Sequence, residues 1–348
     1  MQRRDFLKST AATVATLASG PIILGAEDKS GGKPPVVGKG DFTYECIHNW
    51  GQLPDKFVWQ TTHGVAIDQD GLIYIKMQGH GGKPAVDTIH VFDKDGKHVR
   101  SFGKEIHPGG HGIDIRKDGN EEFLYLCDVA HGQVLKTSLK GEVVWKLGVP
   151  REAKEYEDGK KKYSPTNLAF APDGGFYVGD GYGSNYVTQY DKDNKWIRTW
   201  GGFGSEPGKM KTPHGIWLDD RKGREPSLVV ADRANARLQY FTLKGEHIGF
   251  VNDMLFPASF DIRGDVLLVP DLHARVTLLD KDNKVIDQLG DDPEWRKKVL
   301  DGFKVRAKPD EWVGGKFVHP HDACFDRNGN IFVVEWVDTG RVTLLKKV

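Results

Sequence analysis

The chain has 348 residues, with 49 Lys+Arg balanced by 49 Asp+Glu, so it lacks the basic excess of a phosphate-tracking surface and nucleic acid is excluded as a partner. Its cysteines, Cys46, Cys127 and Cys324, are far apart and form no CxxC pair, which excludes a disulfide framework and a thiolate metal site, at most one bridge being left open. Beyond the leader described next, no segment approaches the roughly 18 apolar residues of a membrane span, and length alone fits two ordinary domains or one large β fold.

Residues 1–26 read as an export leader outside the fold. Arg3-Arg4 precedes Asp5-Phe6-Leu7-Lys8 and an apolar stretch broken by Gly20-Pro21, which ends at the small-residue cleavage site Leu24-Gly25-Ala26. This is the twin-arginine layout, so the expected location is the periplasm or the extracellular space, with no membrane attachment after cleavage; an uncleaved anchor is the alternative. Residues 27–41 read as linker and 42–348 as one domain.

That domain is a repeat. Each copy has an apolar strand ending in Asp, a turn with Asp/Asn-Gly, a second apolar strand, and two more strands. First strands begin at His63, His111, Thr166, His214, Ala258 and His321, spaced by subtraction at 48, 55, 48, 44 and 63 residues. Four-stranded propeller blades of roughly 40–50 residues, some with insertions, have this spacing. The fold class is therefore all-β, a six-bladed β-propeller. The sixth copy stops at Val348 after three strands, whereas Tyr44 to Gly51 carries an outer-strand signature with no copy of its own. It is expected to complete the last blade, which closes the ring and leaves no weak seam. Two insertions stand out. Arg151 to Lys162 reads as a solvated loop. Asp291 to Pro320, with a short helix expected over Pro293–Leu300, either packs on a blade or lies as a lid over the channel.

The first strand of each propeller blade lines the axial channel, so equivalent starting residues form a ring. Of the six ring positions four are histidine, His63, His111, His214 and His321, although 13 histidines in 348 residues would put only about a quarter of one there by chance. Neutral imidazoles converging from separate strands suit Zn²⁺ or another first-row divalent metal, with His63 as an extra candidate ligand. Strand capping or hydrogen bonding across the channel is the simpler alternative for any one of them. The remaining histidines, among them His48, His90 and His319, fall off the register and read as surface or turn residues. The second strands end in Gln78, Asp128, Asp180, Asp232, Asp271 and Glu335, expected to brace each blade against a following Arg or Gln. Near them Tyr182 could act as acid or base and Arg233 could clamp a carboxylate, or either could be packing.

The runs Pro165-Thr166-Asn167, Tyr177 to Tyr182, Pro213-His214-Gly215, Val230 to Gln239 and Pro320-His321-Asp322 resemble the peptidyl-hydroxyglycine α-amidating lyase, a six-bladed propeller of the NHL-repeat class. The likeness extends over nearly the whole mature chain. It implies a catalytic zinc on His111, His214 and His321, functional roles for Tyr182 and Arg233, and a structural calcium held by the carbonyls of Val65 and Ile113 and by Asp322. It also shows departures. Gln78 stands where the family has a second functional arginine, Gly183 replaces a family cysteine, His63 is an added imidazole, and no copper monooxygenase domain accompanies the chain. The leading expectation is a metal-dependent lyase or hydrolase acting on a small molecule or peptide. The rival is a non-catalytic propeller that binds a protein or glycan, its metal only structural. Elemental analysis discriminates between them.

Overall fold

The computed structural model describes residues 32–82 and 84–348, so the twin-arginine stretch lies outside the described residues. Six antiparallel sheets are present among the described residues. Blade one runs Thr61–Ile67, Ile73–Gln78, Ile89–Phe92 and His98–Phe102, and the next four blades repeat that order.

The turns follow from a local rule. Asp68, Asp93, Asp191, Asp280 and Asp326 each end a strand, and one Oδ1 accepts the amides two and four residues on. That side-chain turn reverses the chain within a few residues, and a left-handed glycine or asparagine completes it, as at Gly71 with φ 83°.

Between strand turns, alternating apolar residues on both faces of every sheet have to be covered, and the neighbouring blades cover them. Six apolar clusters each join two adjacent blades around the ring; Trp50, Val65, Ile75, Phe332 and Val334, for example, bind blade six to blade one. The core is therefore a set of six inter-blade layers around an axis.

The last blade closes as expected. Phe42–His48 pairs with Arg341–Lys347, from Tyr44 opposite Lys347 to His48 opposite Thr343, and Tyr44 and Cys46 are buried between blades five and six. The stretch read as linker needs correction. Val36–Lys39 pairs with Phe42–His48 as a fifth strand, because the outer edge of the closing strand has free backbone groups that accept it.

The two insertions behave differently from each other. Pro293–Leu300 is a helix, with Asp292 as N-cap accepting from the amides of Glu294 and Trp295. It packs on a blade: Trp295 and Val299 join Ala274, Val305, Val318 and Val337 in a buried cluster. The charged run 151–162 is not simply solvated. Its Ala153 and Tyr156 are fully buried between blades two and three, where the Tyr156 hydroxyl donates to Asp180. His90 and His319, expected at the surface, are also buried.

Candidate metal centre

The channel is assembled by the acids that end the second strands. Asp180 accepts from the Ser164 amide at 2.6 Å, Asp232 from Lys211 at 2.7 Å, Asp271 from Leu255 and Phe256 at 2.8 and 2.9 Å, and Glu335 from Val318 at 2.6 Å. Each of these amides lies two or three residues before the ring position of its own blade, so each acid fixes where that ring residue enters the channel. The expected arginine brace is only part of this. Arg237 and Arg341 do pair with Asp232 and Glu335, but Arg275 stands 3.9 Å from Asp271, and Asp180 has a tyrosine instead.

All six ring residues are buried. His111, His214 and His321 belong to blades two, four and six, and their ligand atoms lie within 4.8 Å of one another. Their ring centroids are separated by 4.4 to 4.9 Å. Each Nδ1 donates to the carbonyl at the ring position of the next blade: His111 to Thr166 at 2.5 Å, His214 to Ala258 at 2.6 Å and His321 to His63 at 2.7 Å. A carbonyl only accepts, so the proton sits on Nδ1 and Nε2 is left bare toward the axis. Gly112 and Gly215 allow the approach, since a Cβ at either would stand 2.7 or 2.6 Å from the accepting carbonyl oxygen.

The three bare nitrogens are the fit test for a metal. Nε2 of His111 and of His321 is buried without a partner, and that of His214 meets only the Tyr182 hydroxyl at 3.1 Å. Burial, reinforced by Arg233 and the neighbouring imidazoles, pushes all three well below the ordinary histidine range, which keeps them in the neutral, ligating form. Unpartnered buried nitrogens meeting at one point can hold a cation, and imidazole nitrogens suit zinc and its first-row neighbours.

His63 sits beside this group, 4.5 Å from His321 between ring centroids. Its Nδ1 faces the Thr61 carbonyl at 3.1 Å, burial pushes it down to about 3, and it lies outside the set of three that share a point. What it does contribute is the backbone carbonyl that orients His321.

Tyr182 and Arg233 meet at the same place. Arg233 donates from Nη1 to the Tyr182 oxygen at 3.1 Å, and its Nη2 is buried with no partner. With His321 they line a cavity of about 160 Å³, walled otherwise by Phe256, Leu272, Phe303 and Trp336. Phe303 belongs to the insertion Asp291 to Pro320, and the other three lie on separate loops and share no spacing. Gln78 is not part of this cavity.

A second cavity of about 130 Å³ lies farther along the channel, and Val65, Ile113 and Asp322 all line it. Asp114 and Asp261, which no motif marked, line it too. Burial raises Asp261 and Asp322 to about 7, and Asp114 well above the usual carboxylate range. Asp322 also accepts from the Val65 amide at 3.0 Å.

No family model matches the chain. It is 33% identical over 168 residues to peptidyl-glycine α-amidating monooxygenase B of Xenopus laevis, covering 46% of this chain and 18% of that protein. It is 26% identical over 264 residues to peptidyl-α-hydroxyglycine α-amidating lyase 1 of Drosophila melanogaster, covering 69% and 45%. The chain thus spans less than half the length of these relatives. Among solved structures, a streptogramin B lyase superposes with a TM-score of 0.55 at 9% identity, over 88% of this chain and 99% of that one. A virginiamycin B lyase from Staphylococcus aureus superposes with a TM-score of 0.53 at 12% identity, over 87% and 100%, and both likenesses concern the fold alone. The repeats, the ring and these relatives together make the chain a six-bladed β-propeller similar to the peptidyl-α-hydroxyglycine α-amidating lyases.

Proposed function

We propose that this chain is an exported, metal-dependent lyase that cleaves the C–N bond of an N-acylated α-hydroxyglycine. The observation that carries the reading is the convergence of three bare imidazole nitrogens beside a tyrosine hydroxyl held by an unsaturated arginine. Export rests on Arg3-Arg4 and the apolar run behind them.

His111, His214 and His321 would hold the metal. When bound, the metal supplies Lewis acidity that makes a substrate hydroxyl easier to deprotonate. Arg233 anchors the substrate carboxylate through the buried Nη2 that has no protein partner. Tyr182 stands between the arginine and the ring, within reach of a hydroxyl placed there, and once its own proton has passed to solvent its phenolate oxygen takes the hydroxyl's proton. The carbinol oxygen then forms a C=O bond as the C–N bond breaks, and the nitrogen regains a proton, giving a primary amide and glyoxylate. The second cavity suits a calcium ion held by Asp322 with the carbonyls of Val65 and Ile113, which offsets the buried carboxylates and pins blades one, two and six together.

The test is turnover of an N-acyl-α-hydroxyglycine by the zinc-loaded protein, followed as glyoxylate. Tyr182→Phe should lower kcat by about 10²–10³ with metal content and Tm unchanged. Absence of glyoxylate with the native chain, or full activity in Tyr182→Phe, overturns the reading.

A further inference from the structure

Phe303 is placed against the preferences of its own backbone. Its φ is +54°, in the left-handed region that a bulky side chain avoids, and the residue is 44% exposed. Stability alone would favour glycine or asparagine at such a position. The conformation is held from outside. Val305 is buried two residues on, the Trp312 indole donates to its carbonyl at 2.8 Å, and the Asp338 amide donates to the Arg306 carbonyl at 3.2 Å. Arg306 also pairs with Asp338 at 2.8 Å and lies 3.4 Å over the Trp336 ring. The insertion is thus a fixed platform, and it presents the Phe303 ring to the cavity that contains Tyr182, Arg233 and His321.

The walls define what fits. Phe256, Leu272, Phe303 and Trp336 are apolar or aromatic, no carboxylate lines the space, and Arg233 is its one permanent charge. At about 160 Å³ the cavity is smaller than the roughly 300–1,000 Å³ that enclose a drug-sized ligand, so it accepts one ring-sized group. The geometry points to Phe303 as a specificity-determining residue that selects substrates carrying a flat apolar acyl group next to the carboxylate held by Arg233. This rests on the anion-anchoring role given to Arg233 above. Aromatic faces at 256, 303 and 336 favour a planar group, and a charged acyl group finds no charged side chain there besides Arg233, which is taken up by the carboxylate.

Unreactive probes separate this subsite from the chemistry. N-benzoylglycine and N-acetylglycine carry the carboxylate but no hydroxyl, and their Kd values are measured by calorimetry on the zinc-loaded exported chain and on Phe303→Gly and Phe303→Leu. The native protein should bind the benzoyl probe about tenfold more tightly, the yield of one well-made aromatic contact. In Phe303→Gly that ratio should fall to about twofold, with acetyl binding nearly unchanged and Tm held because glycine relieves the backbone; Phe303→Leu should lie between. A native ratio near one, a ratio unaltered in Phe303→Gly, an equal loss of both probes, or no binding of either overturns the proposal. If the ratio follows residue 303 but N-benzoyl-α-hydroxyglycine is not cleaved, the lyase reading falls and the subsite stands.

Discussion

Replacing Asp180 by alanine tests how the fold holds Tyr182. The carboxylate is buried and accepts three donors: the Ser164 amide at 2.6 Å, the Ser184 amide at 2.6 Å and the Tyr156 hydroxyl at 2.7 Å. Together these fix both ends of the turn that carries Tyr182. Losing a buried partner costs about 2 kcal/mol per donor, or about 6 kcal/mol for the three. Against this, burial outweighs those bonds and raises the Asp180 carboxyl from 3.8 to about 6, so the desolvated carboxylate is itself held at a cost and part of that sum is recovered on its removal. The net loss is about 3 kcal/mol, a fall in Tm of roughly 4–5 °C for a chain of this size. Activity should fall further than stability implies, by about 10², because a tyrosine displaced by an ångström no longer reaches the hydroxyl. Metal content should change little, since the three ligands sit on blades two, four and six and Asp180 reaches them only indirectly, through the Thr166 carbonyl that orients His111. Calorimetry, metal stoichiometry and glyoxylate release on one preparation check the three parts. An unchanged Tm, or loss of metal together with activity, refutes the reasoning.

Deleting residues 42–50 removes Tyr44, Cys46 and Trp50 from two inter-blade layers and should cost about 5 kcal/mol or more; an unchanged thermal transition would rule out the closure. Lys76 is buried between blades one and two, its Nζ donating to the carbonyls of Gly112 and Cys127, and burial pushes its ammonium down from 10.5 to about 8. The folded chain then holds fewer protons than the unfolded one between those values, so native stability should rise by about 3 kcal/mol from pH 8 to 10.5 relative to Lys76→Met. Equal pH profiles in denaturant unfolding would contradict this.

The architecture was legible because its signals are periodic: six strand starts, a repeated aspartate turn, and one outer strand out of place. The ring of imidazoles was legible for the same reason, being one residue type at one register. What the register could not reveal is which histidines share a point. The partners that orient them are backbone carbonyls of Thr166, Ala258 and His63, and a carbonyl leaves no trace in residue type. The acids ending the second strands look in sequence like partners for arginine, because the amides they hold are equally invisible. Tyr156 shows the opposite error: one aromatic in a charged run is buried because its hydroxyl has Asp180 to meet. Phe256, Leu272 and Trp336 come from three separate loops, so only the closed ring gathers them around Arg233.

The most direct measurement is X-ray absorption at the metal edge on the purified protein, with elemental analysis of the native chain and of His111→Ala, His214→Ala and His321→Ala. The account predicts one first-row metal per chain with three imidazole nitrogens at about 2.0–2.1 Å and an open position, lost in each variant while the propeller stays folded. Metal-free protein of full stability, or a closed shell of four imidazoles that opens when His63 is removed, would contradict it.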